Sequence, residues 1–206
     1  MSTLGERYER HHKERRNEGE FVFVPERIPL FKEAIGQGRR VLDLGCRSGA
    51  LTEHFVEGNE VVGVDVDRVA LAKAGERGIT PVLADVAEPL PFPDKSFDAV
   101  VAGELLEHLG FPEALIAEVL RVLEPGGSFV GSVPNAFNVQ RRLRFLLGKP
   151  PENDPTHLRM FSGEQIRELL ADFQDVSVTF VGGRYRPLHP RLLAQDMVFT
   201  AVRPAA

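Results

Sequence analysis

The residues able to do chemistry are acidic side chains and glycines set at the ends of apolar runs. Asp43, Gly45, Cys46, Arg47 and Gly49 fall within residues 41–52, Val-Leu-Asp-Leu-Gly-Cys-Arg-Ser-Gly-Ala-Leu-Thr. Val41, Leu42 and Leu44 make the short continuous apolar run of a fully buried parallel strand. The two glycines punctuate the chain after it, and the apolar spacing from Leu51 to Phe55 predicts a helix next. Such a turn leaves backbone N–H groups and the positive end of a helix dipole facing one spot, which suits an anion. A second apolar run, residues 61–64, ends at Asp65, twenty residues beyond Gly45. That is about the spacing at which a carboxylate meets the ribose hydroxyls of a nucleoside in a βαβ unit. The glycines do not follow Gly-x-Gly-x-x-Gly, the pattern that lets backbone close on a pyrophosphate. Asp43 would repel a pyrophosphate and suits a ligand carrying an ammonium group. Taken alone, the stretch also reads as an ordinary tight turn between strand and helix.

The elements that position these residues follow from the patterning. From Arg40 onward strands and helices alternate, which argues for a parallel α/β sheet. Asp67 is placed to cap a helix running to Gly78. Thr80 to Ala84 is the third strand, and Pro81, which cannot donate to a ladder, puts it at an edge. Phe97 to Val101 is the fourth strand. Pro112 opens a helix with Leu115, Ile116, Val119, Leu120 and Leu123 on one face. Glu124-Pro125-Gly126-Gly127 stops it before a fifth strand, Ser128 to Val133. Before this core, residues 6–20 read as a solvated helix or arm, and Ile28, Phe31 and Ile35 as a second helix. Beyond Pro134, Val139, Leu143, Leu146 and Leu147 stripe a helix that also carries Arg141, Arg142 and Arg144. Ser162 and Gln165 form a capping box for a helix to Ala171. Residues 176–180 and 197–199 alternate as an antiparallel pair.

The chain has 206 residues and a net charge of −5, with 43% hydrophobic and 27% charged residues. This is the balance of one globular domain, and the net charge gives no reason to expect nonspecific nucleic-acid binding, which favours a basic face. Cys46 is the single cysteine, so no intrachain disulfide forms, and it reads as a small turn residue. No apolar run is long enough for stable membrane insertion, and the charged N-terminus is no secretory signal. The expectation is a cytoplasmic protein. His11-His12 has no cysteine or carboxylate set beside it, so no metal is expected.

Residues 41–52 resemble motif I of the class I S-adenosylmethionine-dependent methyltransferases, usually Asp-x-Gly-x-Gly-x-Gly. Four further segments extend the resemblance in order: residues 64–67, 84–86, 97–108 and 120–127. It implies a Rossmann-like α/β fold, a mostly parallel seven-stranded sheet in order 3-2-1-4-5-7-6 with strand 7 antiparallel. It also implies S-adenosylmethionine as methyl donor, S-adenosylhomocysteine as product, and a small-molecule acceptor methylated on oxygen, nitrogen or carbon. Carried over residue by residue, Asp43 would serve the methionine ammonium and Gly45, Cys46 and Gly49 the motif I turn. Asp65 would take the ribose diol and Asp85 the adenine amino group. Val66 and Val86 would touch the adenine, though both also read as core, and Gly103 would lie at the fourth strand's end. Arg47 stands where the family usually has glycine. It is expected to keep an ordinary backbone conformation and reach the methionine carboxylate.

Where the acceptor must lose a proton, the base candidates are His108, His157 and Glu107; each histidine also reads as a local hydrogen-bonding residue. The expected organisation is a single domain, residues 1–206: an N-terminal helical cover (1–38), a cofactor-binding core (39–133), a substrate-cover insertion (134–160) and a C-terminal helix with antiparallel strands (161–206). Residues 133–149 are also similar to a segment of the MetW-like branch, which keeps open a non-catalytic binding or partner subunit. A nicotinamide-dependent oxidoreductase is the other alternative, against which the glycine spacing speaks.

Overall fold

Successive side chains of β1 (Arg40–Leu44) enter two different cores: Val41 joins one, Leu42 and Leu44 the other. β4 (Phe97–Gly103) splits the same way, with Ala99 and Val101 on one face and Val100 and Ala102 on the other. Burial on both faces is what a central parallel strand requires. The structure is a computed structural model that describes residues 25–151, 154 and 156–205. The expected arm over residues 6–20, including His11 and His12, lies outside the described residues.

The remaining strands are β2 (Glu60–Asp65), β3 (Thr80–Leu83), β5 (Leu123–Pro134), β6 (Gln174–Val181) and β7 (Asp196–Val202). They form one seven-stranded sheet in the order β3-β2-β1-β4-β5-β7-β6. β7 runs antiparallel to both β5 and β6, and the pairs from β3 to β5 are parallel. This is the expected Rossmann-like order. Pro81 sits on the edge strand, where its missing N–H costs no ladder bond.

Helices α1 (Arg27–Ile35) and α2 (Arg68–Glu76) close one face through Phe31, Ile35, Leu71 and Ala74. α3 (Pro112–Val122) and the helix after the insertion, residues 163–169, close the other. The caps are those read from the sequence. The Asp67 carboxylate accepts from the Val69 and Ala70 N–H groups at 2.9 and 3.0 Å. Ser162 and Gln165 make a reciprocal capping box.

Three local expectations are corrected. Residues 51–55 form no α-helix, only a 3₁₀ turn at Thr52–His54. Gly58 follows at φ 80, and Asn59 Nδ2 donates to the Phe55 carbonyl at 2.9 Å, so the chain turns into β2 within a few residues. α3 ends at Val122, and β5 starts at once at Leu123, with a register break opposite Phe97 and Ala99. The helix expected to end at Ala171 ends at Leu169. In the insertion, α4 (Val139–Leu146) buries none of its residues, and Val139, Leu143, Leu146 and Leu147 are exposed. α5 (Gly163–Leu169) and the short α6 (Pro190–Leu193) complete the chain. Among the described residues no helix is long and apolar enough to cross a membrane.

Candidate active site

The carboxyl ends of β1, β2, β3 and β4 converge beside the point where strand order reverses, the usual ligand crevice of an open α/β sheet. A cavity of about 270 Å³ opens there. Asp65, Val66, Asp85 and Val86 line one side, and Glu104, Leu105 and His108 the other. A second, much smaller space of about 30 Å³ continues past Asp43, Cys46, Ser48 and Gly103. Gly45 and Arg47 line both. Of the residues anticipated from sequence, all the cofactor-side candidates except Gly49 therefore line one of two adjoining spaces.

Gly49 is structural. It sits at φ 77, and a Cβ there would lie 2.3 Å from Ile79 Cδ1. Gly45 adopts φ 70, and its bare Cα lets Leu105 approach the turn. Arg47 also adopts positive φ, 49°, contrary to the ordinary conformation expected of it. The loop imposes this because the Arg47 N–H is drawn to Asp65 Oδ2 at 2.9 Å. The loop is no open anion cradle either. The Gly45 and Cys46 N–H groups both donate to the Val64 carbonyl, at 2.8 and 3.1 Å, and the Gly49 N–H to the Cys46 carbonyl at 2.8 Å. With these donors committed and no α-helix behind them, nothing here suits a pyrophosphate.

The acidic groups are held differently. Asp43 is 2% exposed and accepts from the Thr52 hydroxyl. Burial pushes its carboxyl up to about 7, with the Asp65 charge adding to the rise and the Thr52 bond opposing it. Asp65 accepts from the Arg47 and Asp67 N–H groups, each at 2.9 Å. Burial raises it as well, against these bonds. Asp85 turns Oδ1 to the Ala87 N–H at 2.9 Å. Arg47 is drawn down by burial, though Asp65 and Asp67 favour its charge. Its Nε is buried without a hydrogen-bond partner. Burial pushes the Cys46 thiol up, which agrees with an inert turn residue.

On the far side, the turn after β4 carries a buried charge cluster that sequence reading missed. Glu104, at φ 52, lines the cavity. Arg27 of α1, 2% exposed, places Nη2 3.2 Å from Glu104 Oε1 and 2.9 Å from Asp196 Oδ2. Burial lifts Glu104 to about 7 despite Arg27. Glu107, 1% exposed, has neither carboxyl oxygen hydrogen-bonded, and burial with the nearby Glu104 charge holds it well above the usual range. The three base candidates do come together. The His108 and His157 rings meet edge to face at 4.7 Å, and one ligating atom from each of Glu107, His108 and His157 lies within 4.8 Å of the others. Of the three, His108 lines the cavity.

A sequence profile described as a methyltransferase domain matches residues 42–131, the span holding every one of these features except Arg27, His157 and Asp196. Over this span and beyond it the chain is similar to S-adenosylmethionine-dependent methyltransferases. A probable S-adenosylmethionine-dependent methyltransferase of Mycolicibacterium smegmatis is 34% identical over 136 residues, 65% of this chain and 50% of that protein. A ubiquinone biosynthesis O-methyltransferase of Alkalilimnicola ehrlichii is 35% identical over 54% of this chain and 49% of its own length. The chain thus spans about half the length of these relatives. In fold it is similar to the crystal structure of a SAM-dependent methyltransferase from Archaeoglobus fulgidus, at TM-score 0.72 and 22% identity over 95% of this chain and 99% of that one.

Proposed function

We propose that the protein transfers a methyl group from S-adenosylmethionine to a small molecule, at oxygen, nitrogen or carbon. The observation that carries this is the trio Asp43, Asp65 and Asp85, at the ends of three adjacent strands around two joined spaces without a pyrophosphate cradle. These residues fit a sulfonium nucleoside. Asp43 faces its ammonium, Asp65 keeps lone pairs for the ribose diol, and Asp85 with the Val86 N–H takes the adenine edge. Val66 and Val86 flank the base, and Arg47 takes the carboxylate. The space beside Asp43, about 30 Å³, holds little more than one water, so the Arg47 side chain moves as the amino-acid end enters.

The bound donor supplies an activated methyl group, since its C–S bonding pair leaves on sulfur as a neutral thioether. The chain's part is then chiefly positioning. Glu104 and His108 meet the acceptor side of the cavity. The His108 Nδ1 lies 3.1 Å from the Thr156 carbonyl, which can only accept, so in the neutral ring Nδ1 carries the proton and Nε2 is basic. Leu158, itself exposed, lines the cavity from the end of the insertion, and the described part of residues 134–160 together with α1 makes up the cover.

Calorimetric titration with S-adenosylhomocysteine, and with NAD as control, tests the reading. Binding of the first and not the second is expected. No uptake of the nucleoside, with uptake of the dinucleotide, would overturn it. Binding without turnover on any acceptor, together with copurification of an enzyme, would favour a non-catalytic partner subunit.

A further inference from the structure

The segment 156–159 is stitched onto the turn after β4. The Leu158 and Arg159 N–H groups both donate to the Glu107 carbonyl, at 2.8 and 3.0 Å. The Arg159 guanidinium donates to the Gly110 carbonyl through Nη2 at 2.6 Å and Nε at 3.2 Å. These backbone bonds set His157 against His108. They also fix the His108 tautomer, because the Thr156 carbonyl accepts a hydrogen bond from Nδ1–H. A histidine held this way by a backbone carbonyl presents Nε2 as a ligand, the usual outer-shell arrangement of metal-bound imidazoles. The Glu107 carboxyl completes the group with two buried oxygens that no hydrogen bond satisfies.

We propose that Glu107, His108 and His157 bind a divalent transition-metal ion at the edge of the acceptor cavity, and that the acceptor is an oxygen compound held by that ion. Two imidazoles and one carboxylate are a donor set for zinc, iron, manganese or cobalt, and poor for magnesium or calcium. Ligand distances of about 2.0–2.2 Å put neighbouring donor atoms roughly 3–3.5 Å apart. The observed limit of 4.8 Å closes to that with small side-chain rotations. Three protein ligands leave positions open toward the cavity that His108 lines. The acceptor class follows from electron counting. An amine bound to the ion has used its one lone pair and cannot attack a methyl group. A hydroxyl bound there loses its proton to water more readily, and its oxygen keeps further lone pairs for the new bond. The acceptor half of this inference rests on the methyltransferase reading; the metal half does not.

The test uses full-length protein freed of metal with a chelator and titrated with cobalt(II), whose visible absorption reports bound ligands. One ion per chain is expected. His157→Ala should weaken uptake by roughly 100-fold or more, since outer-shell partners alone are worth about 10–100-fold. Glu107→Gln should do the same, with its folding checked by circular dichroism. A variant lacking both His11 and His12 should bind cobalt as the parent does. Catechol should shift the cobalt spectrum and benzylamine should not displace it. Cobalt uptake that survives His157→Ala, or that is lost with His11 and His12, overturns the site. A spectrum indifferent to catechol overturns the acceptor class. S-adenosylhomocysteine binding is measured on the same samples: its absence would sink the methyltransferase reading, whereas cobalt uptake succeeds or fails independently.

Discussion

Replacing Arg47 by glycine should move stability and ligand affinity in opposite directions. Arg47 holds φ 49, and the left-handed conformation costs a residue with a Cβ about 1–2 kcal/mol. Its Nε is buried without a partner, a defect worth about 1–3 kcal/mol. Glycine removes both, while the added freedom of the unfolded chain takes back about 0.4–1 kcal/mol. The ligand-free protein should gain about 1–4.5 kcal/mol, a rise in Tm of roughly 2–18 °C for a chain of this size. Affinity goes the other way. A bond from a guanidinium to a carboxylate is worth about 1.5–3 kcal/mol, so the Kd for S-adenosylhomocysteine should rise about 10- to 100-fold. Thermal melts with and without ligand read both effects. At a concentration near 100 times the parental Kd, ligand stabilises the parent by about 2.7 kcal/mol and the variant by about 0.4–1.4 kcal/mol. A variant that binds as tightly as the parent, or tighter, would refute the clamp and make Arg47 an obstruction of the methionine end.

Asp43 sets a pH dependence. Its folded value of about 7 lies above the ordinary 3.8. The native protein therefore keeps this proton over a range where the unfolded chain has lost it, and the resulting stability is lost as pH rises through about 7. Ligand affinity should run oppositely, rising with pH through the same range as the ionised carboxylate meets an ammonium; calorimetry on Asp43→Asn should show both dependences flattened. Because Glu104 titrates near the same pH, an unchanged profile in Asp43→Asn would assign the effect to Glu104. Gly49→Ala combines positive φ with a contact at 2.3 Å to Ile79 and should cost about 2–4 kcal/mol, read from denaturant midpoints; a shift under 1 kcal/mol would mean the loop relaxes freely. Arg27→Met leaves Glu104 and Asp196 buried without their cation and should destabilise by about 3–5 kcal/mol, less at acid pH where the raised Glu104 carboxyl is protonated. A loss independent of pH would point to packing instead.

What the sequence shows of this site is what short-range rules control. Asp65, Asp67 and Asp85 terminate or follow apolar runs, so strand ends and a helix cap announce them. Pro81 placed the third strand at the edge through one missing donor. The failures share a different origin. Residues 51–55 have the apolar spacing of a helix, yet Thr52 is spent on Asp43 and Asn59 on Phe55, and the chain must reach β2 within a few residues. Arg47 was misjudged because its backbone angle is set by Asp65, a residue on the next strand. The Arg27–Glu104–Asp196 cluster was invisible because α1, the end of β4 and the start of β7 meet only through sheet topology. Glu107, His108 and His157 each read from the sequence as a separate proton acceptor. That they lie together depends on two N–H groups, of Leu158 and Arg159, finding the Glu107 carbonyl. A buried carboxyl with two imidazoles beside it is a product of burial and of loop docking. Residue types alone mark such places as candidates, and only the fold brings the three side chains to one place.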